Sequence, residues 1–307
     1  MKREKENIKG KHHRRHSIDV VSINLVAYVF IGLFALICLL PFYLIIVASF
    51  TPETSLIRNG YPLFPTGEFS VESYGLCLKN PTEIVSAYAT TIGVTLVGTL
   101  LAVLLATMTG YVLSRKDFPW RNRFSFFFFF TTLFSGGLVP SYMLCMRYLH
   151  FKNNYLALIL PMVFSVWNMI IAKSFMAGIP ASITESAKMD GANDMVIYLK
   201  LILPLSKPLV ATLGLFSALA YWNDWYSCML YITDNDKFML QYYLQQMLGS
   251  AEAMRLVAEK SGIPIKTVPL ESMKMAMTVI ATGPIVLLYP FVQRYFVKGM
   301  TIGAVKG

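Results

Sequence analysis

Apolar residues in this chain gather into long unbroken blocks, not the alternating or three-to-four spacing of an element with one wet face. Six blocks stand out, at 25–49, 84–113, 124–146, 155–177, 209–232 and 273–292. A helix needs about 20 apolar residues to cross the hydrocarbon core of a bilayer. In lipid the backbone has no water to bond, and a helix pairs its own N–H and C=O groups within one segment. The pattern predicts an all-α polytopic membrane protein with six transmembrane helices. The second block is long enough to tilt or to project from the membrane. The polar stretches divide the chain into an N-terminal tail, 1–24, a six-helix domain, 25–292, containing an inner loop at 178–208, and a C-terminal tail, 293–307.

Composition agrees with that reading. The 307 residues are 55% hydrophobic and 14% charged, too apolar for an ordinary soluble domain. Charge then sets orientation. With both termini inside, and Lys173 counted at the inner end of the fourth block, the cytoplasmic segments carry 18 of the 27 lysines and arginines but 7 of the 17 acidic residues, net +11, which leaves −1 elsewhere. Lysine and arginine concentrate on the cytoplasmic side, so both termini are expected there. The overall charge of +10 is thereby mostly topology. Nucleic acid is not expected, since no zinc spacing or aromatic RNA-binding strand accompanies the charge. The basic start, Met1 to Arg15, has the look of a signal-peptide n-region. The apolar run after it is of full membrane length without a small-residue cleavage site, so it reads as a retained first helix. The cluster His12, His13, Arg14, Arg15 and His16 reads as a flexible anchor, with metal or lipid-phosphate binding as the alternative. Cys38, Cys145 and Cys228 lie in apolar blocks and Cys77 stands alone, so neither a structural disulfide nor a metal site is expected.

The connections carry turn chemistry. Tyr61 to Gly67 in the first outer loop holds Pro62, Pro65 and Gly67 and cannot continue a regular helix. Gln241 to Gln246, in the second outer excursion, reads as a short helix near the membrane surface. Pro119 breaks the inner turn at 115–123, where Arg115, Lys116, Arg121 and Arg123 fix the side and Trp120 suits the headgroup boundary. Phe126 to Phe130 reads as lipid-facing or packing surface. Gly136, Gly137 and Pro140 interrupt the third block. A break in a membrane helix is tolerated only against protein or a wet cavity, so 134–142 either packs tightly or lines a pathway.

The loop between the fourth and fifth blocks is the most patterned polar segment, running ESAKMDGANDMVIYLKLILP from Glu185 to Pro204. Pro180 is placed to start a helix, and Ser182 with Glu185 has the spacing of a capping box. Gly191 permits a tight change of direction. Asn193 can cap a second short helix, expected to end before Leu203-Pro204. The result is a helix-turn-helix knob close beneath the membrane. Spacing alone leaves two readings, a docking element for a partner or a plain amphipathic surface helix. Two further clusters combine aromatic faces with amides or a carboxylate: Trp167-Asn168 in the fourth block, and Tyr221, Trp222, Asn223, Asp224 and Trp225 in the fifth. Such groups in lipid must face protein or water. They either line a solute pathway or bond between helices.

Glu185, Ala187, Gly191, Ala192, Leu203 and Pro204 resemble the signature loop of type I ABC importer permeases. Ser186 replaces the usual first alanine, a small-for-small change, and Asp190 matches the aspartate-glycine-alanine form of sugar permeases. The resemblance covers most of 25–307 and is nearest to the G-type membrane subunit of maltose and multiple-sugar importers. The segment 134–142, the cluster Trp222 to Trp225 and the end from Gln293 are similar to the branch handling complex oligosaccharides, including uronate-containing and pectin-derived glycans. The resemblance implies a bacterial plasma-membrane subunit that pairs with a second, F-type permease, two cytoplasmic ATPase subunits and an extracytoplasmic binding protein. It implies that Glu185, Ala187, Asp190, Gly191, Ala192, Leu203 and Pro204 couple to the ATPases, with the loop around Gly191 seated in an ATPase cleft. It also implies an ATPase-facing tail at Arg294, Lys298, Gly299 and Gly303, for which simple membrane anchoring is the alternative. The chain has no GxxxxGK[ST] loop, so it is expected to bind no cofactor and to be noncatalytic, with ATP and Mg held by the partner ATPases. Peptide or another polar solute remains open as cargo. A secondary transporter is expected to show an inverted repeat or an ionisable relay, and neither is visible; a membrane scaffold is the other alternative.

Overall fold

The computed structural model describes residues 18–64, 69–261 and 269–304, and all their regular structure is helical. The basic cluster at 12–16 and the outer-loop residues Pro65 to Gly67 lie outside the described residues. Helix α1, Ile18–Ser49, runs through Pro41 without ending. It is exposed along most of its length and joins the body at its C-terminal end, where Val47, Ala48 and Ser49 are buried. Two short helices follow, α2 at Glu53–Asn59 and α3 at Glu72–Cys77. Helix α4, Pro81–Ser114, begins on a proline whose missing N–H costs nothing in a first turn.

After α4 come three bent pairs. Helix α5, Arg121–Leu133, meets α6, Leu138–Met143, which a π-turn extends to Tyr148, at 111°. The break sits at the expected glycines: Gly137 has φ +86°, which few other residues adopt, and its N–H bonds the Ser135 hydroxyl. Helix α7, Leu156–Ile159, extended by a 3₁₀ turn to Met162, meets α8, Val166–Ala177, at 50°. There Ser165 caps α8 by accepting from the Asn168 N–H. After α9, Ala181–Met189, and α10, Asp194–Ile197, a π-turn at Tyr198–Ile202 runs into α11, Leu203–Leu205. That unit meets α12, Lys207–Trp222, at 83°.

Among the described residues, three helices are thus long and apolar enough to cross a membrane uninterrupted, and up to six spans arise if each bent pair counts as one. The fifth block differs from expectation. Its helix stops at Trp222, and Tyr226–Tyr231 forms a separate α13. At the restart Asp224 Oδ1 accepts from the Ser227 N–H. The second excursion also differs: 241–246 belongs to α14, Leu240–Ser261, a 22-residue helix. The last helix, α15, Leu270–Ala304, carries the segment from Gln293 onward as helix, where a flexible tail was expected.

Helix α4 is the spine of the body and packs most extensively on α8 and α12. Close approach is achieved by missing side chains. A Cβ at Gly110 would lie 2.5 Å from the Ala172 Cβ, and one at Gly98 would lie 2.5 Å from the Tyr221 ring. Three of the polar groups buried beside them are paired, as an apolar setting demands, whereas the Thr95 and Thr99 hydroxyls of α4 have no hydrogen-bond partner. Tyr221 Oη donates to the Ile159 carbonyl at 2.8 Å, Trp222 Nε1 to the Ala281 carbonyl at 3.1 Å, and Asn168 Nδ2 to Ser217 Oγ at 3.3 Å. Near the start of α15, the Glu53 carboxylate accepts from the Glu271 and Ser272 N–H groups at 3.0 and 2.8 Å. One α2 side chain thereby caps the last helix.

Candidate coupling site

The knob at 178–208 is built by backbone chemistry legible in its sequence, with two differences. Pro180 occupies the position before the first helical residue, φ −57° and ψ 131°, and no side chain caps α9. Ser182 therefore falls inside the first turn, and the Ser182–Glu185 box does not form. At the other end Gly191 is left-handed, φ +79°. Its N–H bonds the Lys188 carbonyl, and the Ala192 N–H bonds the Ala187 carbonyl, each at 3.0 Å. This is the paired closure of a helix on a glycine, with Ala192 packed against Ala187. Asn193 then caps α10, its Oδ1 accepting from the Val196 N–H at 2.8 Å. The second difference is at Leu203-Pro204, where the helix continues to Leu205. The π-turn explains it: the Leu203 N–H reaches back five residues to the Tyr198 carbonyl. The ladder has already shifted register where Pro204 brings no donor.

Of the residues assigned to coupling, Glu185, Asp190, Gly191 and Pro204 are exposed, Ala187 is buried, and Ala192 and Leu203 are half-buried. Met189, at the tip, is 83% exposed. The knob thus offers a small apolar and acidic tip on a short helix, a shape suited to a protein cleft. Its inner side holds Ile197, Tyr198 and Ile202 in one core with Ala106 and Tyr111 of α4. Tyr198 Oη and Thr107 Oγ1 are 2.8 Å apart.

Four charges not assigned to coupling from the sequence, Arg115, Asp117, Lys188 and Asp194, complete the site. Arg115 follows α4 directly. Its Nε donates to Asp117 Oδ1 at 2.8 Å, its Nη2 to Asp117 Oδ2, and its Nη1 to Asp194 at the start of α10. Lys188 of α9 donates to Asp117 Oδ2 at 2.9 Å. The Arg115 fork, and then Lys188, hold the Asp117 carboxyl well below the usual carboxylate range. The bond to Asp117, and after it the bond to Asp194, in turn raise the Arg115 guanidinium, against partial burial. A cavity of about 290 Å³ lies between this network and α9, lined among others by Lys116, Met176, Ile179 and Glu185. The signal available in the sequence was Asp117 itself, the one acid in a turn of four basic residues.

The pathway candidates separate by position. Tyr221, Trp222 and Asn168 are buried in the helix packing described above. Trp167, 68% exposed, together with Asn223 and Trp225, faces outward from this chain. Asn223 Nδ2 bonds the Leu219 carbonyl, and Trp225 stands edge-on to Tyr226. Asp224 keeps its Oδ2 buried without a hydrogen-bond partner. Arg294, Lys298, Gly299 and Gly303 lie on the helical backbone of α15. Among the described residues no three metal-ligating side chains cluster.

Comparison with known proteins decides the class. The family model for the binding-protein-dependent transport system inner membrane component matches residues 20–302. The chain belongs to that family. This permease is 39% identical to the polygalacturonan/rhamnogalacturonan transport system permease protein YtcP of Bacillus subtilis, over 92% of its own length and 98% of the relative's. It is 38% identical to Protein LplC of the same organism, over 91% and 92% of the two chains. Among solved structures it matches a chain of a bacterial ABC transporter involved in the import of the acidic polysaccharide alginate, at TM-score 0.76 and 28% identity, covering 91% of the permease and 98% of that chain. The permease is therefore a multi-pass membrane component of an ABC-type transport system.

Proposed function

We propose that this permease forms half of the translocation pathway of an ATP-driven importer for oligosaccharides, with uronate-containing glycans as the favoured cargo. The observation that carries the reading is chemical agreement between two relatives, one matched by sequence and one by structure. One is named for polygalacturonan and rhamnogalacturonan, the other for alginate, and both cargoes are acidic polysaccharides. Each likeness extends over nine-tenths of the chain. In this reading the chain spans a bacterial plasma membrane six times with both termini in the cytoplasm, in keeping with the basic bias of the inner segments. An F-type permease supplies the other half. A binding protein delivers solute outside, and two ATPase subunits bind beneath. ATP and Mg belong to those ATPases, and the chain performs no chemistry of its own.

Coupling falls to Glu185, Ala187, Asp190, Gly191, Ala192, Leu203 and Pro204, on the knob whose exposed tip suits a cleft. Contact with solute falls to Trp167, Asn223 and Trp225, whose side chains are free of this chain's core. Tyr221, Trp222 and Asn168 hold the frame behind them. The test is reconstitution with the four partners in liposomes and a panel of oligogalacturonides, rhamnogalacturonan fragments, neutral oligosaccharides and peptides. Uptake and stimulated ATP hydrolysis with the acidic glycans are expected. Stimulation by peptides alone rejects the glycan reading, and stimulation by neutral sugars alone rejects the uronate preference.

A further inference from the structure

Helix α9 is poorly anchored by apolar packing. Of its nine residues only Ala187 is buried, and the cavity of about 290 Å³ lies behind it. A helix backed by empty space can yield when pushed, so motion applied at its tip could be lost before reaching the membrane helices. What bridges the gap is ionic. Lys188 of α9 bonds Asp117, Asp117 accepts two bonds from Arg115, and Arg115 also holds Asp194 of α10. Arg115 adjoins Ser114, the last residue of α4. Its guanidinium also lies 5.7 Å from the Tyr111 ring on that helix.

We propose that Asp117 is a positioning residue: with Arg115, Lys188 and Asp194 it clasps α9 and α10 to the inner end of α4, so that displacement of the knob is delivered to α4 and not absorbed by the cavity. The inference rests on the importer reading above, which supplies the ATPase that moves the knob. Isolated surface ion pairs hold little. This one differs in two respects. The Arg115 side chain is only 17% exposed, and its fork meets the carboxylate through two parallel bonds, which fixes direction as well as distance. Topology does not call for it either. An inner turn needs basic residues to anchor it, and an acid there contributes little to orientation. Among the described residues, Asp117 is the acid that bonds both Arg115 and Lys188. At about 1.5 Å per residue, the 34-residue α4 carries a displacement of its inner end over roughly 50 Å. The far end of α4 borders a second cavity of about 560 Å³, lined by Lys79, Glu83, Tyr243 and Gln246 among others.

The test uses the full complex in liposomes and compares Asp117→Asn with Asp117→Glu. The first keeps the size and removes the charge; the second keeps the charge. Two quantities are read: solute moved per ATP hydrolysed, and the distance distribution between spin labels at Val112→Cys on α4 and Met189→Cys on α9, with Cys38→Ser removing the exposed thiol. Asp117→Asn is expected to lower the transport ratio by about threefold, a size suited to a partly exposed charge network, and to broaden the label distribution. Asp117→Glu is expected to restore both toward wild type. A wild-type ratio and a wild-type distribution in Asp117→Asn overturn the proposal. So does weaker ATPase binding with an unchanged ratio, which makes these charges part of the dock alone. If the wild-type complex moves no glycan, the cargo reading fails, and the label distances still decide the clasp.

Discussion

Gly191 and Gly110 are both glycines without a side chain to lose, yet they do opposite work. Gly191 stands in open space, where an added Cβ meets nothing within 4 Å, and is required for its φ of +79°. A β-branched residue there costs about 1–2 kcal/mol in backbone strain and undoes the closure onto Ala187. Gly191→Val is expected to insert and to bind ATPase, while solute-stimulated hydrolysis and uptake fall about tenfold, the equivalent of ~1.4 kcal/mol. Gly191→Asn, which tolerates the left-handed region, is expected to stay closer to wild type. Near-normal rates in Gly191→Val, at matched permease amounts, defeat the coupling role. Gly110 is required for space, because its Cβ would meet the Ala172 Cβ and the Lys173 backbone nitrogen at 2.5 and 2.9 Å. Backbone cannot step aside, so Gly110→Val should destabilise the fold by about 1–3 kcal/mol, read as a lower unfolding midpoint of the purified complex. The sequence announces the first glycine, since a capping asparagine follows it. It is silent on the second, whose reason lies on another helix.

At the scale of elements, the chain is legible where breaks are made by the backbone and less so where they are made by side chains. Gly136 and Gly137 marked the 111° bend in advance. Ser165, which caps α8, and Asp224, which bonds the Ser227 N–H in the first turn of α13, gave no such mark, because either residue can also sit inside a helix. Pro204 misled in the other direction, for a π-turn lets the helix pass it. The Ser182–Glu185 box failed because Pro180 moved the first turn forward. The knob itself carries a pH signature. The Asp117 carboxyl is held low by Arg115 and Lys188. Its contribution is complete above the unfolded carboxyl value of about 3.9 and is lost as pH falls through the lower folded one. Hydrogen-exchange protection of α9 is expected to be flat from neutral to mildly acid pH and to drop only in strong acid. In Asp117→Asn that drop should vanish; its persistence assigns the acid response to other groups. Orientation is checked by labels: thiols placed at Met189 should react only after permeabilisation, and thiols at Glu252 without it. Labelling of Met189 from outside reverses the topology.

For the whole molecule, the six-block pattern gave the all-helical membrane class, whereas the packing around α4 needed three dimensions. The end of the chain shows the difference. A glycine-rich basic segment reads as a loose tail, but α15 carries it as helix to Ala304. Removal of 299–307 is expected to leave the permease inserted and to weaken ATPase association or transport, measured by copurification and uptake. Unchanged association and uptake confine that end to anchoring.

The carboxylate of Glu53 finds its partners 218 and 219 positions later, at the first turn of α15. At about 5–20 residues per second, a ribosome needs on the order of tens of seconds to deliver them. Throughout that interval the acid has no amides to bond and must stay in contact with water or headgroups. The junction of α2 with α15 consequently closes late in synthesis, together with the other contacts of α15, once that helix has been made. A truncated product would leave that carboxylate to solvent, without the α15 amides that fix α2 in place.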